Sequence, residues 1–244
     1  MKKNTKKNII TKNTKIIIIH KIRGQKMKID THIHSQYSKD SITPLKDIIK
    51  YSQKIGLNAI AITDHDEIEG TWAIRKMEHE GLILIPGEEV SSTQGHIVAL
   101  GITDYIKPLQ TPAETIDQIH DNAGIAIAAH PYCYYRSGLG DIVRQLDIDA
   151  METKNSRFIL GISNYLAKQV SEKNKIPEIG ASDAHFTKGI GRCYTELPDC
   201  DNVDDILKNI KKGNTKAHGE RTPMNLIIKE VIRKKGRKTK AKTD

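Results

Sequence analysis

The sequence predicts an α/β fold closed into a barrel, and three observations predict it. Short apolar runs alternate with single helical stretches, which implies parallel βαβ units. About seven such units over roughly 200 residues suit a closed barrel better than an open sheet. Histidines and carboxylates stand just where one apolar run after another ends, and parallel strands deliver all their last residues to one mouth. The length of 244 residues fits one large domain, with 37% apolar residues to fill its core. Phe and Trp are scarce, so Ile, Leu, Val and Ala must supply that core.

Residues 1–26 hold nine Lys or Arg and no acid. Apart from Ile16–Ile19 they carry no apolar pattern, so they predict a disordered or loosely attached extension. Met27 opens the first ordered strand and is a candidate translation start. Its run, Met27-Lys28-Ile29, leads into Asp30-Thr31-His32-Ile33-His34. Alternate residues of an extended chain point to one side, so His32 and His34 can aim at one ion. A polar loop, Ser35 to Ser41, contains Asp40. Thr43 is the expected N-cap with Pro44 in the first turn, Leu45, Ile48, Ile49 and Ile55 give the helical stripe, and Gly56 closes it.

Asn58–Thr63 reads as the second strand and runs into Asp64-His65-Asp66. A helix over 67–80 ends at Gly81. Leu82–Ile85 is a strand leading through Pro86-Gly87 to Glu88-Glu89, and Gly95–Leu100, with His96, is the next. Thr111-Pro112-Ala113-Glu114 combines an N-cap, an early Pro and a capping-box acid for a helix ending near Gly124. Ile125–Ala129 ends in His130-Pro131. A helix near 139–146, a strand over Asp149–Thr153 and a helix near 156–173 follow. Pro177–Ala181 ends in Ser182-Asp183-Ala184-His185, then come a strand over Arg192–Leu197 and a helix over 202–212. The domain limits are therefore 27–228, with a basic tail over 229–244 expected to be solvated.

The net charge of +9 suggests nucleic acid until it is located. The tail holds eight Lys or Arg against Glu230 and Asp244, whereas residues 27–228 hold 22 basic and 28 acidic residues. The body is mildly acidic and the ends are basic. Surplus acids among many histidines suit a site that concentrates cations, and weak nucleic-acid contact is the partner class such tails suit. Cys133, Cys193 and Cys200 are an odd number without metal-knuckle spacing, which points to reduced thiols and a cytoplasmic setting. Ile16–Ile19 is far too short to span a bilayer.

Any one strand-end histidine has a plain alternative as a cap or a surface residue. Their recurrence at successive strand ends argues for one shared metal site. His79 and His120, among polar helical residues, and His218, before Gly219, are assigned to the surface. The donor set is imidazole and carboxylate without thiolate, which selects Zn, Mn or Fe. About nine candidates converge where a tetrahedral zinc needs about four ligands, enough for two to three divalent ions. Clustered ions of this kind suit phosphate ester hydrolysis.

His32-x-His34, Thr63-Asp64-His65, Gly87-x-Glu89, Gly95-His96, Ala129-His130-Pro131 and Ser182-Asp183-Ala184-His185 resemble the ordered motifs of the PHP (polymerase and histidinol phosphatase) family. The resemblance covers roughly 27–220. It implies a distorted (β/α)7 TIM-like barrel, a trinuclear metal site and phosphoesterase activity. By motif it puts His32, His34, His65, Glu89, His96, His130, Asp183 and His185 at ligand positions. The family's acid directly after the loop serine is replaced here by Lys39, so Asp40 is carried as the ninth ligand. Asp64 and Asp66 are expected to orient imidazoles, and Asp64, which could also bind directly, is carried as catalytic.

A phosphate needs fixed cations around it. Arg192, entering a strand from Gly189-Ile190-Gly191, is the favoured clamp, with Arg136 second. Lys154 and Asn155, at a strand end, also face the mouth. Tyr132, Tyr134 and Tyr135 could stack on a base or close over the mouth. The expected activity is metal-dependent hydrolysis of a phosphomonoester or of a nucleotide or oligonucleotide phosphate. Histidinol-phosphate phosphatase is the nearest rival. Other classes are an amidohydrolase-like enzyme, against which Glu89 stands where a bridging lysine is common, and a non-catalytic nucleic-acid-associated barrel, against which the complete ligand set argues.

Overall fold

The computed structural model describes residues 8–12, 15–19, 26–158 and 161–240. Strands β1 (Asn8–Lys12) and β2 (Lys15–Ile19) pair antiparallel as a separate two-stranded sheet. The expectation of a loose extension over 1–26 otherwise lies outside the described residues, as does the end of the tail at 241–244. Within the extension the isoleucine run pairs as a strand, in keeping with the preference of β-branched residues for extended backbone.

Nine strands form the main sheet, in the order β11-β10-β3-β4-β5-β6-β7-β8-β9. These are β3 (Lys26–Ile33), β4 (Ala59–Ile62), β5 (Ile83–Ser91), β6 (His96–Leu100), β7 (Ile125–Ala128), β8 (Ala150–Asn155), β9 (Glu178–Ala181), β10 (Cys193–Pro198) and β11 (Lys216–Gly219). The sheet curls into a nearly closed barrel. Just past β9 the His34 amide donates to the Ala184 carbonyl at 2.9 Å and the Ala184 amide to that of His32 at 3.3 Å, which joins the last wall strand to the first. Seven strands, β3 to β9, thus make the wall, and β10 and β11 fill the seam below.

That seam has no backbone ladder beside Gly180. The Thr195 hydroxyl accepts from the Gly180 amide and donates to its carbonyl, both at 2.9 Å. A Cβ on Gly180 would lie 2.3 Å from the Tyr194 carbonyl oxygen, so only glycine admits this approach.

The alternation with helices predicts parallel strands, and the structure departs from this at two places. β6 is antiparallel to both β5 and β7, and β10 is antiparallel to β3. Only a short loop, 92–95, separates β5 from β6, and a connection that short can form a hairpin but not a crossover.

Helices α1 (Leu45–Lys54), α2 (Glu69–Arg75), α3 (Pro112–Asp121) and α4 (Ile162–Asn174) pack outside the wall, and α5 (Val203–Lys211) packs against the interior cluster. The predicted capping box of α3 is present: Thr111 accepts from the Glu114 amide and Glu114 from that of Thr111. At α1 the cap is Pro44 rather than Thr43, whose hydroxyl is engaged with that of Ser41. The segment near 139–146 is a 3-10 helix, Gly140–Gln145. Gly140 opens it at a φ of 66°, outside the helical region, and glycine is a poor helix former, so the run left for an α-helix is short.

The barrel interior is apolar and buried. Ile29, Ala59, Ala61, Ile85, Val98, Leu100, Ile127 and Ala181 pack there, all nearly inaccessible. Each large member contributes roughly 1.5–3 kcal/mol by leaving water. Ile206, Leu207 and Ile210 of α5 join this cluster and close the end opposite the mouth. Two further apolar layers lie outside the wall, one under α1 and α2 and one under α3 and α4.

A sixth helix, α6 (Met224–Lys240), stands where the sequence predicts a solvated tail from residue 229. Its first half docks: Leu226 and Ile227 are partly covered and Glu230 is buried. The basic run conceals the short spacing, Leu226-Ile227 to Glu230, that turns one face to the barrel. Among the described residues, no helix is long and apolar enough to cross a membrane.

Candidate metal centre

The strand ends converge as the sequence predicts, and antiparallel β6 explains its one irregular contributor. His32 is the next-to-last residue of β3 and His34 follows the strand, His65 follows β4, Glu89 lies in β5, His130 follows β7, and Asp183 and His185 follow β9. His96 is the first residue of its strand, not the last. Because β6 runs the opposite way, its first residue still arrives at the mouth.

Glu89 is the hub. Its Oε2 lies 3.1 Å from His32 Nε2, 3.2 Å from His34 Nε2 and 3.2 Å from His65 Nδ1. Its Oε1 lies 2.9 Å from His96 Nδ1 and 3.1 Å from His130 Nε2. Three overlapping donor groups form around it: His34, Asp40, His65 and His185; His32, His34 and Asp183; and His65, Glu89 and His96. Within each group the donor atoms lie within 4.8 Å of one another. Each group could hold a metal ion.

Two observations test that fit. His34 Nδ1, His65 Nδ1, His130 Nδ1, Glu89 Oε2 and Asp183 Oδ1 are buried yet make no hydrogen bond. Buried polar atoms are seldom left so, because the loss of water goes uncompensated. The protonation balance also suits cations. Burial pushes the Glu89 carboxyl up, but His65, His32 and His96 outweigh it and hold the group well below the usual carboxylate range. Asp183 is likewise pushed up by burial and held well below by Arg136 and His32. Burial brings the His65 imidazole down to about 4, leaving a neutral ring with a lone pair to give. His34, lowered by burial, is lifted to about 9 by Asp183 and Glu89, which draw a positive charge into the cluster. The donor set fits divalent ions.

A layer of polar side chains behind the donors fixes their orientation. Glu152 Oε1 lies 2.7 Å from His32 Nδ1, and Glu152 Oε2 accepts from the His130 amide and from Asn155 Nδ2, both at 2.8 Å. A carboxylate on the far nitrogen sets which ring nitrogen of His32 faces the cluster. Asn155 Nδ2 also reaches Asp183 Oδ2 at 3.1 Å. Asp40 lies 2.6 Å from His185 Nε2 through Oδ2, while its Oδ1 accepts from the Ser38 hydroxyl. His130 and Asp183 adopt φ of 31° and 53°, uncommon for residues with a Cβ, and such backbone strain concentrates at working sites.

Four predicted residues stand differently. Asp64 does not face the donors: both its oxygens accept from Ser35, at 2.5 Å from the amide and 2.6 Å from the hydroxyl. It anchors the chain just after His34, so any part it plays runs through that segment. Asp66 similarly receives the Ser91 amide and hydroxyl. Arg192 is not gathered into the cluster; it is half-buried, and its Nε donates to the Lys188 carbonyl at 3.4 Å. Lys154 is exposed, on a strand whose register with β9 shifts between Glu152 and Lys154. Arg136, by contrast, reaches in and ion-pairs with Asp183, with Nη1 3.5 Å from Asn155 Oδ1. Tyr132 is buried against Asp141, whereas Tyr134 and Tyr135 are exposed.

His79, His120 and His218 lie apart: His120 pairs with Asp149 at 2.8 Å and His218 stacks on Tyr194. Sequence reasoning passes over Glu152, Asp30 and Arg157. Asp30 accepts from the Ser182 and Gly191 amides, tying β3 to two loops of the mouth. An acid inside an apolar run was the available signal for Glu152 and Asp30, and a position just past a strand end the signal for Arg157.

Comparison with known proteins follows the same lines. A family model described as PHP-associated matches residues 161–215. Uncharacterized protein MJ1587 of Methanocaldococcus jannaschii is 37% identical over 152 residues, covering 58% of this chain and 89% of that protein. Among solved structures, the fold resembles a two-domain protein from Bacteroides vulgatus containing a predicted PHP-like metal-dependent phosphoesterase. The TM-score is 0.69 at 18% identity, over 80% of this chain and 65% of that one. It also resembles a lesion-specific endonuclease, PfuEndoQ, from Pyrococcus furiosus, with a TM-score of 0.60 at 20% identity over 79% of this chain and 58% of that one.

Proposed function

This chain belongs to the PHP (polymerase and histidinol phosphatase) family, and from that premise we propose that it is a metal-dependent phosphoesterase. The reading rests above all on Glu89, a buried carboxylate with five imidazoles within 3.2 Å of its two oxygens. So many lone pairs directed at one small volume suit two to three divalent ions, of Mn, Zn or Fe. His32, His34, Asp40, His65, Glu89, His96, His130, Asp183 and His185 would hold them. Ions bound there would make a water molecule acidic enough to yield hydroxide near neutral pH and would offset charge on a phosphoryl group.

The protein's own groups do the rest. Glu152 and Asn155 keep His32, His130 and Asp183 aligned before any substrate arrives. Arg136 enters from the loop after β7 with a side chain 16% exposed, so its guanidinium borders the cluster from the solvent side. Its fork matches two oxygens of a phosphoryl group. The substrate is a phosphomonoester or the phosphate of a nucleotide or oligonucleotide, with Tyr134 and Tyr135 exposed beside Arg136 where a base could stack. The test is Mn-reconstituted protein assayed against phosphorylated metabolites, mononucleotides and short oligonucleotides, with metal content measured alongside. Release of phosphate or cleavage of a phosphodiester at two or more ions per chain is expected. Fully loaded protein inert towards the whole panel would refute the reading.

A further inference from the structure

Arg157 connects the metal centre to the C-terminal helix. Its Nη1 lies 2.7 and 2.9 Å from the two ring nitrogens of His185 and 3.6 Å from Asp183 Oδ1. Its Nη2 donates to Glu230 Oε1 of α6 at 3.3 Å. Glu230 is only 3% exposed. The backbone around this ion pair is laced in the same sense. The Thr222 amide, just before α6, donates to the Ser156 carbonyl at 2.7 Å, and the Ser156 hydroxyl donates to the Ser182 carbonyl at 2.6 Å. The residues immediately before Arg157, before Asp183 and at the entry to α6 are therefore hydrogen-bonded in one chain.

A carboxylate is an expensive group to place on the docked face of a helix. Its neighbours on that face, Leu226 and Ile227, would pack against the barrel equally well with another apolar residue at 230. What Glu230 does that Leu would not is hold one edge of the Arg157 guanidinium and leave the other edge towards the cluster. We propose that Glu230 is a positioning residue. It fixes Arg157 as a second anion-binding arginine across Asp183 from Arg136, so that α6 is part of the substrate-phosphate site. The proposal rests on the phosphoesterase reading. A guanidinium held on one side by a buried carboxylate has less freedom to lose when it meets an anion.

The test uses the full chain, metal-loaded, with inorganic phosphate as the probe in titration calorimetry. Glu230→Gln, Arg157→Ala and the double variant form a cycle, with Arg157→Lys as a milder replacement. Glu230→Gln is expected to weaken phosphate binding by about 5–10-fold, the scale of one charge-assisted contact, with metal content unchanged. In the Arg157→Ala background the same change should have no further effect. Arg157→Lys should recover part of the loss with Glu230 present and none of it with Gln at 230. Equal losses from Glu230→Gln in both backgrounds would show that Glu230 supports the fold alone and would overturn the proposal. Phosphate binding by the parent protein with no loss in Glu230→Gln would overturn it too, leaving the phosphoesterase reading intact. If the loaded parent neither binds phosphate nor turns over any phosphate ester, both fall together.

Discussion

The same seven strands build two regions with opposite character. In β3 the side chains of Met27 and Ile29 pack into an apolar interior, and a few residues on His32 and His34 enter a crowd of ionisable groups. In β5 the step from Ile85 to Glu89 makes the same crossing. The interior satisfies every local rule: alternation, apolar packing and small residues where the barrel is narrow. The mouth breaks them, with buried carboxylates, buried imidazoles and polar atoms lacking hydrogen bonds. Such conflict is tolerated where function needs it and where the rest of the fold is stable enough to carry it. Stability and chemistry are thus separated along the barrel axis rather than by domain.

Substitutions can break that comparison. The largest effect is expected for Glu89→Gln at the mouth. Losing the shared carboxylate should lower metal content and cut kcat/KM by about 10³-fold or more, while in excess chelator the thermal midpoint stays within a few degrees of the parent. Leu100→Ala in the interior should do the reverse. It should cost about 2–5 kcal/mol in denaturant titrations, with metal content and low-temperature turnover retained. If Leu100→Ala emptied the metal site, or Glu89→Gln melted the chelated protein, the two regions would not be separable. A smaller effect sharpens the picture on the substrate side. Arg136→Ala should reduce kcat/KM by about 10–100-fold at constant metal content. An equal loss in Arg192→Ala, and none in Arg136→Ala, would return the clamp to the residue the sequence favours.

The contrast also explains what could be read in advance. Apolar runs ending in His or acid are a one-dimensional signal, so the barrel and the convergence of its strand ends were legible. Arg192 opens a strand-like run and Arg157 follows one, each close in sequence to a strand end, and nothing local tells which of them reaches the cluster. They are separated by where loops fold back, and the Asp30 carboxylate that receives the Gly191 amide belongs to a strand 161 residues earlier. The reversal of β6 was written in its short loop, but His96 could be placed by motif without noticing it. The docking of α6 was hidden because its cations dominate the composition, whereas the contact depends on one acid among them.

The seam beside Gly180 has a consequence for how the barrel comes apart. A ladder of backbone bonds unzips one rung at a time, but among the described residues β9 meets β10 and β11 through side chains, the Thr195 hydroxyl on Gly180 and the Glu178 carboxylate on the Ala217 amide, so the barrel has a built-in fracture line beside β9. Asp183 and His185 lie at the top of that line, and the partners they share with β3 and the 35–41 loop lie on its far side. Ions shared between the two sides would act as a clasp, turning an open-edged sheet into a hoop. Breathing along this line, rather than global unfolding, should then set the amide exchange of Gly180 and its neighbours in chelated protein. Exchange there should slow markedly on metal loading, while amides in the α3–β7 region change little. A uniform slowing across the barrel would mean that the hoop has no weak point.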